Sequence, residues 1–252
     1  MDGGHTVSRV EYENALRAVE IHCDGLRAAA VEAGPEARVP TCPKWTVHRL
    51  VTHIAMVHSW VLAAIANPSG EGIKPDSPPE EWEAVLGWWD AQRDDIREAF
   101  AAGPDAPAWL PFEGYPRTTA SWARRQAHEA AIHRLDAEYA AGDPSVTFDP
   151  EFAADGIDEL LRTILPSRSG WNDVHVSGTV LVRTSDLSRC WTVTLAPTEE
   201  PVVSLTESTP AGFQADTTLT GTADDVYRAV WGRPNGAEKH GETALLEPLA
   251  SR

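Results

Sequence analysis

A change of texture at Ser169-Gly170 constrains this chain more than any other feature. Ahead of it, apolar residues recur at helical spacing in long runs. Behind it come short β-branched runs broken by turn residues: Val174, Val176, Thr179-Val-Leu-Val182, Trp191-Thr-Val-Thr-Leu195, Val202-Val-Ser-Leu205 and Ala215-Asp-Thr-Thr-Leu-Thr220. A 3.6-residue period builds helix-on-helix layers and a two-residue period builds sheets, so the two halves belong to different architectures. The expected organisation is an all-helical domain over residues 1–168 joined to a smaller α+β domain over 169–252.

Five helices are expected in the first part. One runs from Ser8 to Ala33 and stops at Gly34-Pro35. Thr46 is suited to cap a second, Val47 to about Ala66, which Asn67-Pro68 ends. Its apolar residues cover most of its circumference, as in a helix deep inside a bundle. Ser77-Pro-Pro-Glu80 predicts the start of a third helix, reaching about Ala102. A fourth begins at Thr118 or Thr119 and ends near Gly142, and Asp149-Pro150 opens a fifth that Pro166 closes. The long loops 68–79 and 103–118 are candidates for the walls of a site. Late in the second part, Thr222 caps one more helix, which Gly232 stops.

With 38 acidic against 21 basic residues the formal charge is −17, which argues against nucleic acid or an anionic membrane as partner. No apolar run is expected to span a bilayer, and the first residues lack a signal-peptide core, so a cytoplasmic location is expected. Three cysteines, odd in number and without a C-x-x-C, suit a reducing compartment and exclude a structural zinc finger.

The fourth helix carries the most informative chemistry. His128-Glu129 suggests the zinc-protease pattern H-E-x-x-H, but position 132 is Ile, and His128 and His133 lie about 140° apart around a helix. Glu129 and His133, four residues apart, share one face and can share a divalent metal. His53, in mid-helix among apolar neighbours, can supply a third ligand. Two His and one Glu leave a tetrahedral ion one open position, as in catalytic zinc sites. Spacing alone also allows His53 to be a hydrogen-bonded core histidine.

The stretch Val39-Pro-Thr-Cys-Pro-Lys-Trp-Thr-Val-His-Arg-Leu-Val-Thr-His53 resembles the first signature of the mycothiol-dependent maleylpyruvate isomerase family, within the DinB-like metalloenzymes. His128-Glu-Ala-Ala-Ile-His-Arg-Leu-Asp-Ala-Glu138 is similar to the second, and Gly221–Arg233 to the sterol-carrier-like C-terminal domain. The resemblance implies a DinB-like four-helix bundle holding a divalent metal, usually zinc, through His53, Glu129 and His133. It also implies mycothiol as thiol cofactor and a small electrophile or unsaturated acid as substrate. Thiol addition and departure would isomerise a double bond, and retention would give an S-conjugate. Lys44 stands where the family usually has Gly.

Other residues invite weaker readings. His58 reads as core, and His128 as facing solvent or a neighbouring helix. Cys42 reads as a packed loop cysteine, or as a thiol feeling the dipole of the second helix. Asp136, three residues after His133, could orient it. Arg228 and Arg233 are candidates to meet a substrate carboxylate, or are ordinary solvated helix-end residues. Two other functions compete with a thiol-dependent isomerase or transferase: a non-catalytic metal-binding or stress-response module, and a metal-dependent hydrolase. No second general base stands beside Glu129, which counts against hydrolysis.

Overall fold

The computed structural model describes residues 8–209 and 212–250. These form two compact units: residues 8–111 with 115–146, and residues 112–114 with the described residues from 147 on. The texture change near residue 169 marks where strands begin. The units themselves divide at Val146 and Thr147, so the fifth helix belongs with the sheet.

The first unit is a bundle of α1 (Arg9–Ala33), α2 (Val47–Ala66), α3 (Trp82–Phe100) and α4 (Thr119–Ala141). Ser8 and Glu11 form a reciprocal capping box at the start of α1, and the Thr46 hydroxyl accepts from Arg49 N–H at the start of α2. Gly142, in the left-handed conformation, ends α4. α1 packs along α4 and α2 along α3, and the Tyr12 hydroxyl donates to the Phe100 carbonyl at 2.7 Å to tie α1 to α3. α4 is buried nearly all round, and its small Ala residues let neighbours approach closely.

α3 starts four residues later than expected, at Trp82 after the cap position Glu81. Pro78 precedes Pro79 and is pushed out of helical backbone, so residues 77–79 stay irregular, Glu80 bends, and the cap position falls to Glu81 instead of Ser77. α2 also corrects an expectation: by length and composition it could cross a membrane, with mean hydropathy 1.4. In this fold it is a bundle helix whose Val47, Leu50, Val51 and Ile54 are buried. The loops 68–79 and 103–118 meet where Gly70 (φ 85°) lies against the Trp109 indole.

In the second unit Asp149 caps α5 (Pro150–Glu159), which runs on through a π-helical turn at Leu160–Ile164. β1 (Gly178–Thr184), β2 (Cys190–Leu195) and β3 (Val202–Thr206) form an antiparallel meander. β4 (Thr217–Gly221) joins β1 in parallel, and β5 (Glu238–Gly241) pairs antiparallel with β4, giving the order β3-β2-β1-β4-β5. Val174 and Val176 lie outside the strands, between a 3-10 turn at Trp171–Asp173 and the start of β1 at Gly178. α6 (Ala223–Val230) packs on α5, where Tyr227 meets Phe148 and Phe152 edge-on. A helical bundle followed by a mixed α+β unit is the fold class the sequence pointed to.

Candidate metal centre

Two helices and one loop build the site, all within the bundle. α4 projects Glu129 and His133 from successive turns, and α2 projects His53 toward them. Glu129 Oε1 lies 3.0 Å from His53 Nε2 and 3.3 Å from His133 Nε2. One donor atom from each of the three residues falls within 4.8 Å of the others.

Each group is held from behind. The Asp136 carboxylate, fully buried, accepts from His133 Nδ1 at 2.8 Å. An ionised carboxylate can only accept, so Nδ1 carries a proton and Nε2 is the ring nitrogen turned to the cluster. Asp136 also accepts from the Thr41 hydroxyl at 2.5 Å, and the Cys42 thiol lies 3.7 Å away. On α4 one turn before Glu129, buried Arg125 donates to Glu129 Oε2 at 3.0 Å. That contact leaves Oε1 as the oxygen turned to the imidazoles.

The loop 39–45 closes over this cluster. Val39 N–H donates to the Trp45 carbonyl, Cys42 N–H to Val39, and Trp45 N–H to Cys42, at 3.1, 3.0 and 2.8 Å. So braced, Trp45 places its ring 4.9 Å from the His53 ring and 5.8 Å from that of His133. Exposure falls across the site, from 36% of the His53 side chain through 18% for Glu129 to 10% for His133. The cluster therefore opens on its α2 side.

Burial alone would lower the His133 pKa, but hydrogen bonds to Asp136 and Glu129 outweigh it and raise the value to about 9. Burial likewise pushes the Glu129 carboxyl up, while hydrogen bonds from His133 and His53 and the Arg125 charge hold it well below the usual carboxylate range. The cluster thus stabilises positive charge at its centre. The donor set fits a divalent cation as well. Ligands about 2.1 Å from a tetrahedral ion stand roughly 3.4 Å apart, close to the two separations seen here.

The other candidates have surroundings of their own. His58 is a buried core residue whose Nδ1 accepts from Trp89 Nε1 at 3.2 Å. His128 is buried, which rules out the solvent-facing reading. Cys42 is half-buried, its thiol turned to the Asp136 carboxylate at 3.7 Å. Arg228 and Arg233 lie in the second unit: Arg228 donates to Asp224 at 2.9 Å beside the Phe148 ring, and Arg233 to the Trp231 carbonyl at 2.5 Å. Sequence reasoning missed Arg125, although its four-residue spacing from Glu129 was the signal that paired Glu129 with His133. It also missed Trp45 as a cover, because no spacing rule links a loop indole to two distant imidazoles.

Residues 16–138 match the model of the mycothiol maleylpyruvate isomerase N-terminal domain, and residues 151–248 match that of the MDMPI C-terminal domain. The chain belongs to the mycothiol-dependent maleylpyruvate isomerase family. The first family domain covers all the residues of the cluster, and the second begins within α5, as part of the unit that starts at Thr147. Among solved structures, the chain resembles a mycothiol-dependent maleylpyruvate isomerase at TM-score 0.53 and 14% identity, over 96% of this chain and 97% of that one. A histidine-to-alanine mutant of such an isomerase matches at TM-score 0.53 and 13% identity over the same shares. At these identities the likeness establishes the fold. A search of curated proteins finds no significant match.

Proposed function

We propose that this protein is a mycothiol-dependent isomerase of an unsaturated small-molecule acid, with a divalent metal, zinc by its donor set, on His53, Glu129 and His133. The observation that carries the reading is the convergence of those three donors from two helices, in a chain with both family domains in order. When bound, such a metal lowers the pKa of a thiol and so supplies thiolate near neutral pH.

The chain's own residues set the stage for that chemistry. Asp136 fixes the tautomer and orientation of His133, and Arg125 occupies the outer oxygen of Glu129. With both oxygens engaged, Glu129 is poorly placed to activate water, which disfavours the hydrolase. Trp45 covers the imidazoles on one side. For Arg228 and Arg233 we propose a role in holding an acidic substrate, to be tested by R228A and R233A kinetics with metal content as control. The three cysteines, all in the thiol form, support a reducing, cytoplasmic setting.

The test incubates zinc-loaded protein with mycothiol and maleylpyruvate and follows cis–trans conversion by NMR and conjugates by mass. Conversion that needs both thiol and metal supports the isomerase. A stable S-conjugate would mark a transferase instead. Neither product, with metal bound, would leave the non-catalytic module as the better account.

A further inference from the structure

Each site helix carries an arginine four residues ahead of a residue in the metal cluster: Arg125 ahead of Glu129 on α4, and Arg49 ahead of His53 on α2. Residues so spaced share one helical face. The two arginines are employed differently. Arg125 is buried and committed to Glu129. Arg49 is exposed, and among the described residues no carboxylate pairs with it.

What Arg49 does meet is Trp45. Its guanidinium carbon lies 5.7 Å from the centroid of the indole that covers His53 and His133. An aromatic ring steadies a guanidinium while leaving its in-plane N–H fork available to a bidentate acceptor. Lys44, exposed, directly precedes that indole, and Arg38 bridges through the backbone to Thr46 at the base of the same loop. Residues 37–49 thus hold three cations and no acid, in a chain with 38 acidic and 21 basic residues. Helix stability does not explain this. The first turn of α2 contains Arg49 and no acidic residue, the reverse of what the helix dipole favours. The cluster also opens on its α2 side, beside Arg49.

We propose that Arg49, seated on Trp45 and seconded by Lys44, binds a carboxylate of the acidic substrate at the mouth of the site. This deepens the isomerase reading and rests on it for its biological meaning. The geometry fits the carboxylate class because a planar two-oxygen anion matches the guanidinium fork, and a second carboxylate of a short diacid could meet the Lys44 ammonium.

The test is calorimetric titration of maleate into zinc-loaded and metal-free protein, with the Trp45 indole N–H, assigned through W45F, followed by NMR. R49M keeps the aliphatic stem over the indole and removes the charge. It should weaken maleate binding about tenfold or more, R49K should recover part of the loss, and adding K44M should weaken binding further. Maleamide, the neutral diamide, should bind parent and R49M alike. Undiminished maleate affinity in R49M, an equal loss for maleamide, or no maleate binding by the parent in either form would each overturn the proposal. If turnover with mycothiol is absent but maleate binding still depends on Arg49, the isomerase reading falls and this one stands. If turnover is present and R49M is indifferent, this proposal falls alone.

Discussion

Asp136 accepts the Nδ1 proton of His133 at 2.8 Å from a carboxylate that no solvent reaches. The same carboxylate takes the Thr41 hydroxyl, so one buried group both aims a candidate ligand and fastens the loop that carries Trp45. Partners of this kind typically alter metal affinity about 10- to 100-fold. D136A should therefore weaken zinc binding in a chelator competition by that order. D136N, whose amide oxygen can still accept from Nδ1, should lose less. Unchanged zinc affinity in D136A would show that Asp136 does not orient the ligand.

Gly70 has φ 85°, and an added Cβ would stand 2.3 Å from Trp109 Cδ1. Trp109 cannot readily yield: its N–H donates to the Ala64 carbonyl, its own carbonyl accepts from Trp122 Nε1, and its ring packs on Trp60. G70A should cost about 1–3 kcal/mol in urea unfolding, the usual scale for a strained backbone residue. Parent-like stability would mean that the two loops are not locked together there.

His58 and His22 make acid a specific threat to the bundle. Burial lowers the His58 pKa to about 3 and the His22 pKa to about 4, from an ordinary 6.5. The unfolded chain then takes up protons before the folded one, so stability is fully present above about pH 6.5 and drains away as pH falls toward 4. His133, with its raised pKa, acts in the opposite sense over part of that window. The contrast between parent and H58Q is therefore the clean measurement. Between pH 7 and 5 the urea midpoint of H58Q should fall less than that of the parent. Parallel curves would remove His58 from the account.

Local signals made much of this molecule legible from sequence. Thr46 and Asn67-Pro68 bounded α2 at Val47 and Ala66, because a side-chain cap and a proline stop both act within a few residues. The four-residue spacing brought Glu129 and His133 together; His53 joins them although its side chain is 36% exposed, so the burial argument that singled it out does not hold. At the start of α3 two local rules collide, and the proline rule prevails. Ser77 looked like a cap, but Pro79 bars Pro78 from helical backbone, and α3 waits until Trp82. β5 was invisible because Glu238-Lys-His-Gly241 has no apolar face; it is an edge strand held to β4 by backbone pairing, and its charges blunt the edge. Trp45 and Thr41 act through contacts with α4 roughly ninety residues away, which no periodicity reports.

The claim on which the rest depends is that His53, Glu129 and His133 together hold one divalent metal. Elemental analysis of protein purified without chelator, alongside an H53A/E129A/H133A variant shown by circular dichroism to be folded, tests it directly. The account predicts close to one zinc per parent chain and next to none in the variant. Equal metal in the two samples, or a parent that stays metal-free when dialysed against zinc, would contradict it.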